Sequence, residues 1–283
     1  MDAVAQQRHE RVDGAARIEF KVGHGGRTVL GDLYQRAPCR VLFPSVESGE
    51  PTQAVLLTTS GGLTGGDRTD VQIGVRPGAQ ATVTTQAAEK LYRALPQDPE
   101  TTIRVGMRVD AGGWGEWLAQ ETIVFEGARL RREFRAEVAP TARLLATETL
   151  VLGRTAMGER FETGLIHDTW QIRRAGRLIW ADALHLDGDI AAVLAAPFGF
   201  GTAVACSNVV YVGADAAARL EGVRELLGKC GVQAAATAFD GLLLTRLLSD
   251  DAAALRAAVI ALVGGIRELA AALPARLPRV WYC

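Results

Sequence analysis

From Ala16 to Leu186 the chain keeps returning to a period of two, and that pattern limits the folds open to it. In TDVQIGVR, Val71, Ile73 and Val75 fall on one side and Asp70, Gln72 and Gly74 on the other. TTIRVGMRVD repeats the arrangement, with Ile103, Val105, Met107 and Val109 set against Arg104, Gly106 and Arg108. Successive side chains of a strand point to opposite faces, so these are half-buried strands. Similar runs predict strands over 16–22, 28–35, 54–59, 81–86, 116–125, 130–138, 143–152, 168–173 and 178–186. The turn signals HGG, RPGA, DAGG and RRAG lie between such runs, and the result is a mainly β body of many short strands.

The period changes in the C-terminal quarter. AAARLEGVRELLGKCG reads as a helix that Asp215 caps, and two strand-like runs follow, VQAAATAF and LLLTRLL. Ser249 is then placed to cap a long helix that Pro274 stops. Along it Leu255, Val259, Leu262, Ile266, Leu269 and Leu273 recur at helical spacing as an apolar stripe. Gly264 and Gly265 inside this helix cost about 1 kcal/mol each relative to Ala. Packing offsets that cost, or the pair lets another backbone come close. No linker composition separates the two regions, which predicts one domain over 16–283 behind a disordered N-terminal extension, 1–15. The sequence shows no internal repeat.

Charge and cysteine usage exclude several classes. Lys and Arg number 31 against 32 Asp and Glu, so no positive field exists to hold nucleic acid. Cys39, Cys206, Cys230 and Cys283 are scattered and do not form a disulfide framework. The longest apolar run, Ala257 to Ile266, falls short of the ~20 residues of a membrane span. The first residues lack the apolar core of a signal peptide. The expectation is a cytoplasmic protein with no membrane and no nucleic-acid partner.

Chemistry is harder to find. HExxH, GxxxxGK[ST] and GxSxG are absent, and the four histidines, His9, His24, His167 and His185, have no metal-ligand spacing. One stretch stands out. GGLTGGD puts Gly61, Gly62, Gly65 and Gly66 beside Asp67 between two apolar runs. Glycine serves positive φ and close backbone approach, so the stretch is a turn or a place where something nears the backbone. It does not fit GxGxxG, and a strand rather than a helix follows it. About twenty residues on, TTQAAEKLYRA carries Lys90, Tyr92 and Arg93 after an apolar strand. On residues alone, a β-rich enzyme using GGD, Lys90 and Tyr92, or a sandwich-type binding module, stays open.

Five segments in order, GGLTGGD, TTQAAEKLYRA, EWLAQETIVFEGA, LGRTAMGE and the closing PRVW, give the chain a resemblance to the urease accessory protein UreD (UreH) family. It covers about 16–282. Ala119 departs from it, since the family commonly has Pro after WL. The resemblance implies a mainly β fold with helix-like winding of its strands and two helices in the C-terminal region. It also implies a chaperone-like scaffold rather than a catalyst. Such a protein binds the urease apoenzyme and recruits UreF and the GTPase UreG for GTP-dependent nickel insertion. Nickel is then in transit through its interior, with no tightly bound cofactor.

A transit path should be poor in imidazole and thiolate pairs, which hold nickel tightly. A nanomolar site with an on-rate of about 10⁷ M⁻¹s⁻¹ would release its ion in roughly a hundred seconds. Carboxylates bind more weakly. Three are candidates on this view: Asp67 closing the glycine motif, Glu148 inside the apolar LLATETLVLGR, and Asp182 in LIWADALHL. Each is costly to bury unless paired or coordinating. The glycines, with Lys90, Tyr92 and Arg93, are the candidates for loop support or partner contact.

Overall fold

A computed structural model describes residues 11–197 and 199–283. The strands, in chain order, are β1 (Asp13–Val22), β2 (Thr28–Arg36), β3 (Cys39–Leu42), β4 (Thr52–Thr58), β5 (Arg68–Val75) and β6 (Gln80–Thr85). Then come β7 (Glu89–Leu91), β8 (Thr101–Val109), β9 (Trp114–Leu118), β10 (Thr122–Val124), β11 (Arg129–Val138) and β12 (Arg143–Leu152). The last five are β13 (Leu165–Arg174), β14 (Arg177–Asp187), β15 (Ala205–Val212), β16 (Gln233–Phe239) and β17 (Leu242–Ser249). Among the described residues three α-helices interrupt them: α1 (Ile190–Ala195), α2 (Ala216–Leu227) and α3 (Ala252–Ala271).

The chain winds. It passes from β5 in one sheet to β6 in the other, back to β8, across to β9, back to β11, across to β12 and back to β13. Strands from successive turns therefore stack in parallel: β5, β8, β11 and β13 in one sheet, β4, β6, β9 and β12 in the other. A short third ladder, β7–β10–β12, completes each turn. Those parallel ladders are not the Greek-key pairing of an immunoglobulin-type sandwich. The repeat is structural. Leu63, Leu91, Val124 and Leu152 occupy equivalent rungs about thirty residues apart, yet the turns share only their apolar phase, so the sequence hides them.

Period two does what it predicts. Val71, Ile73, Val75, Val105, Met107 and Val109 all face the core between the sheets. The run 116–125 breaks into β9 and β10, because the winding turns a corner at 119–121. Strand β15, short β3 and β7, and the six-residue α1 had no place in the sequence reading. Strand β1 starts at Asp13, inside the segment expected to be disordered, and residues 1–10 lie outside the described residues.

Helices α2 and α3 cover the outer face of the second sheet, forming a second core with Leu243, Val209 and Trp281. Asp251, not Ser249, caps α3, accepting from the N–H groups of Ala253 and Ala254 at 2.8 and 3.3 Å. The glycine pair does let other groups approach. A Cβ on Gly264 would stand 2.8 Å from the Ala275 carbonyl oxygen, and one on Gly265 would stand 2.4 Å from Leu226. The neighbour at Gly264 is thus the chain's own C-terminal tail. Arg267, with no exposed surface, ties that tail down: it donates to Glu116 (2.9 Å), Glu50 (2.6 Å) and the Pro274 carbonyl (3.0 Å).

Candidate functional site

GGLTGGD is the first corner of the winding. Leu63 bridges Leu91, so the loop sits on the end of the third ladder. Gly62 and Gly66 hold φ of 142° and 85°, where L side chains are strained. Gly65 serves space rather than φ: a Cβ there would meet Ala94 and Asp98 at 2.8 Å each. Gly61 is open, with nothing near its Cβ position. The Tyr92 hydroxyl donates to the Gly61 carbonyl at 2.8 Å, and its ring stands edge-on to Phe125 at 5.1 Å. Arg93 lies against Gly127 on the next corner, and Lys90 is exposed.

Asp67 locks this corner. It is 4% exposed, and its two carboxylate oxygens accept from the N–H groups of Val12 and Thr64, both at 2.8 Å. Its carboxylate stays outside the lining of the interior cavities. The geometry gives it a fastening part, which differs from the passage-lining part expected of it. The reason is local: the turn in which the Asp67 N–H donates to the Thr64 carbonyl at 3.0 Å brings the Asp67 carboxylate back onto the Thr64 N–H.

Glu148 and Asp182 line one small cavity. Behind the corner a cavity of about 340 Å³ runs between the sheets from Gly61, Gly62, Glu89 and Lys90 inward to Arg132 and Glu148. On the far side of that pair a second cavity of about 30 Å³ is lined by Asp168, Asp182, Cys206 and Asn208, room for about one water. Of these, Asp182 accepts from Arg246 at 2.7 Å.

Between the cavities Arg132 faces Glu148 from the opposite sheet. Arg132 grips Asp168 with two nitrogens at 2.8 and 2.7 Å and reaches Thr122 at 3.1 Å. Glu148 lies 3.3 Å from Arg132 and accepts from the Trp117 indole at 3.1 Å, but its Oε2 has no hydrogen-bond partner. Two buried carboxylates thus share one guanidinium. Burial pushes the Glu148 carboxyl up to about 7, Arg132 pulling it down and Asp168 pushing it further up. At the mouth, burial likewise lifts Glu89 to about 7. Such a cluster takes up a proton on Glu148 at modest cost.

Arg132, Asp168 and Glu89 were not singled out from sequence. The signal was the phase: Arg132 falls in step with Leu130 and Phe134, and Asp168 with Ile166 and Trp170, on the apolar sides of their strands.

A family model described as UreD urease accessory protein matches residues 12–282. The chain belongs to the UreD family. It is 41% identical over 275 residues to the urease accessory protein UreD of Magnetococcus marinus, covering 95% of this chain and 94% of that one. It is 42% identical to the UreD of a Methylobacterium species, strain 4-46, over 97% of this chain and 96% of the relative. For the UreD of Paracoccus denitrificans the figures are 40%, 99% and 95%. These UreD relatives are named as urease accessory proteins. Four of the five segments that carry the UreD resemblance map to corners of the winding or to the strands entering them, where 61–67, 92–98, 124–128 and 152–159 stack. No helix among the described residues is long and apolar enough to cross a membrane.

Proposed function

We propose that this chain is a scaffold and conduit in urease maturation. It binds apo-urease, recruits UreF and the GTPase UreG, and lets nickel cross its interior during GTP-dependent insertion into the urease active site. Nickel is cargo here, and the chain does no bond-making chemistry of its own. UreD family membership supports the setting. The observation that carries the conduit is the Glu148 Oε2, ion-paired with Arg132 at 3.3 Å but without a hydrogen bond, where the linings of two cavities join.

The chemistry suits transit. Glu148, Asp168 and Asp182 do not gather into a three-ligand site, and carboxylates met one or two at a time hold a divalent cation less firmly than imidazole or thiolate. Cys206 lines the second cavity, and burial holds its thiol up at about 12, so it stays protonated and a poor ligand. An arriving cation replaces the proton of Glu148 and competes with Arg132 for both carboxylates. Asp67 keeps the mouth in shape rather than touching the ion. Lys90 lines the mouth, Tyr92 holds Gly61 at its edge and Arg93 packs on Gly127, and we assign the three to partner contact or corner support.

Co-purification tests the scaffold. The full chain should retain apo-urease, and UreF and UreG should join only when it is present. Urease failing to co-purify under any combination would remove the reading.

A further inference from the structure

The winding brings together two histidines that sequence spacing keeps apart. His167 on β13 stands directly opposite His185 on β14, an antiparallel pair at the edge of the first sheet. Their ring centroids are 5.4 Å apart and the planes cross at 73°. Two imidazoles on one ion, with metal–nitrogen distances of about 2.0–2.1 Å, bring their centroids to about 5 Å. His185 is exposed on the free edge, and His167 is half-buried with its Nδ1 shielded and without a hydrogen-bond partner.

We propose that His167 and His185 form a surface site for a divalent first-row cation of imidazole preference, such as Zn²⁺ or Ni²⁺. Arg131 is the neighbour opposite His167 on β11. Its charge is already matched, since its Nε donates to Glu100 at 2.8 Å. No group of three or more metal-ligating side chains gathers among the described residues, so water fills the remaining positions and the ion exchanges. The site stands apart from the interior cluster: Asp168, next in the chain to His167, turns inward to Arg132 while His167 faces out. It does not depend on the conduit reading.

Calorimetric titration of the full chain, purified without a histidine tag, decides it, with Zn²⁺ and Ni²⁺ in separate runs. One equivalent should bind, and His167→Gln or His185→Gln should each weaken it about a hundredfold, because chelation is lost. Glu148→Gln should leave that equivalent intact, and Mg²⁺, which prefers oxygen ligands, should not compete. His185 is exposed, so His185→Gln keeps the fold and carries the test alone. Unchanged affinity in that variant, or loss of the equivalent in Glu148→Gln instead, overturns the site.

Discussion

Arg132 lies 3.3 Å from Glu148 across the gap between the sheets, yet spends its strongest hydrogen bonds on Asp168. Removing the guanidinium leaves two buried carboxylates facing each other. Arg132→Met should therefore cost about 3–5 kcal/mol of stability. Adding Asp168→Leu should recover part of that, because the second charge goes too. Urea denaturation of the single and double variants measures both.

Stability should depend on pH through Glu148. Its carboxyl is raised from 4.5 to about 7 by burial. The folded chain then holds a proton that the unfolded chain gives up. The stabilisation is complete below the unfolded value and is lost as pH rises through the window from 4.5 to about 7. The slope approaches about 1.4 kcal/mol per pH unit for one proton. Glu89, raised alike to about 7, adds a second proton over the same window. Glu148→Gln should therefore reduce the slope, and Glu148→Gln with Glu89→Gln should flatten it, as urea midpoints at about pH 5 and about pH 8 read.

The glycine corner should separate its residues by mechanism. Gly61→Ala is tolerated, because nothing lies near the new Cβ. Gly65→Val drives into Ala94 and Asp98 and should cost about 2 kcal/mol or more. Asp67→Asn replaces one acceptor oxygen with a donor, leaving the N–H of Val12 or Thr64 unpaired, for about 1–3 kcal/mol. Assembly with urease and nickel loading should fall together in that variant. Pull-down set beside metal content reads the comparison, and loading lost with full assembly would give Asp67 a transit role after all.

Gly264→Leu should release the C-terminal tail. The new side chain collides with backbone at Ala275, which cannot yield as a flexible side chain can. Trp281, which that tail carries and which is 2% exposed, should become accessible. Fluorescence quenching and limited proteolysis near residue 275 report it.

Alternation made the sheets legible, because burial of one face dictates polarity residue by residue. Val71, Ile73 and Val75 sit where their phase puts them. The corners were less legible. Whether 116–125 is one strand or two depends on a bend at 119–121 that neighbouring turns impose. Glu148 and Asp182 stood out as carboxylates in apolar runs, and the fold brings them to one small cavity. Arg132 and Asp168 carried the same signal in the phase of β11 and β13. Asp67 looked alike in sequence, but whether a carboxylate faces a cavity or its own backbone is decided by φ and ψ in one loop. His167 and His185 meet only because β13 and β14 form a hairpin in one register.

The central claim is that Glu148 lies on the path of nickel through the chain. Nickel per urease active site, measured by metal analysis on complexes shown by pull-down to be fully assembled, tests it most directly. Glu148→Gln and Glu148→Leu should both assemble with apo-urease, UreF and UreG, and both should deliver less nickel, Leu least because it removes the oxygen ligands and narrows the gap. Wild-type nickel content in an assembled Glu148→Leu complex would contradict the account.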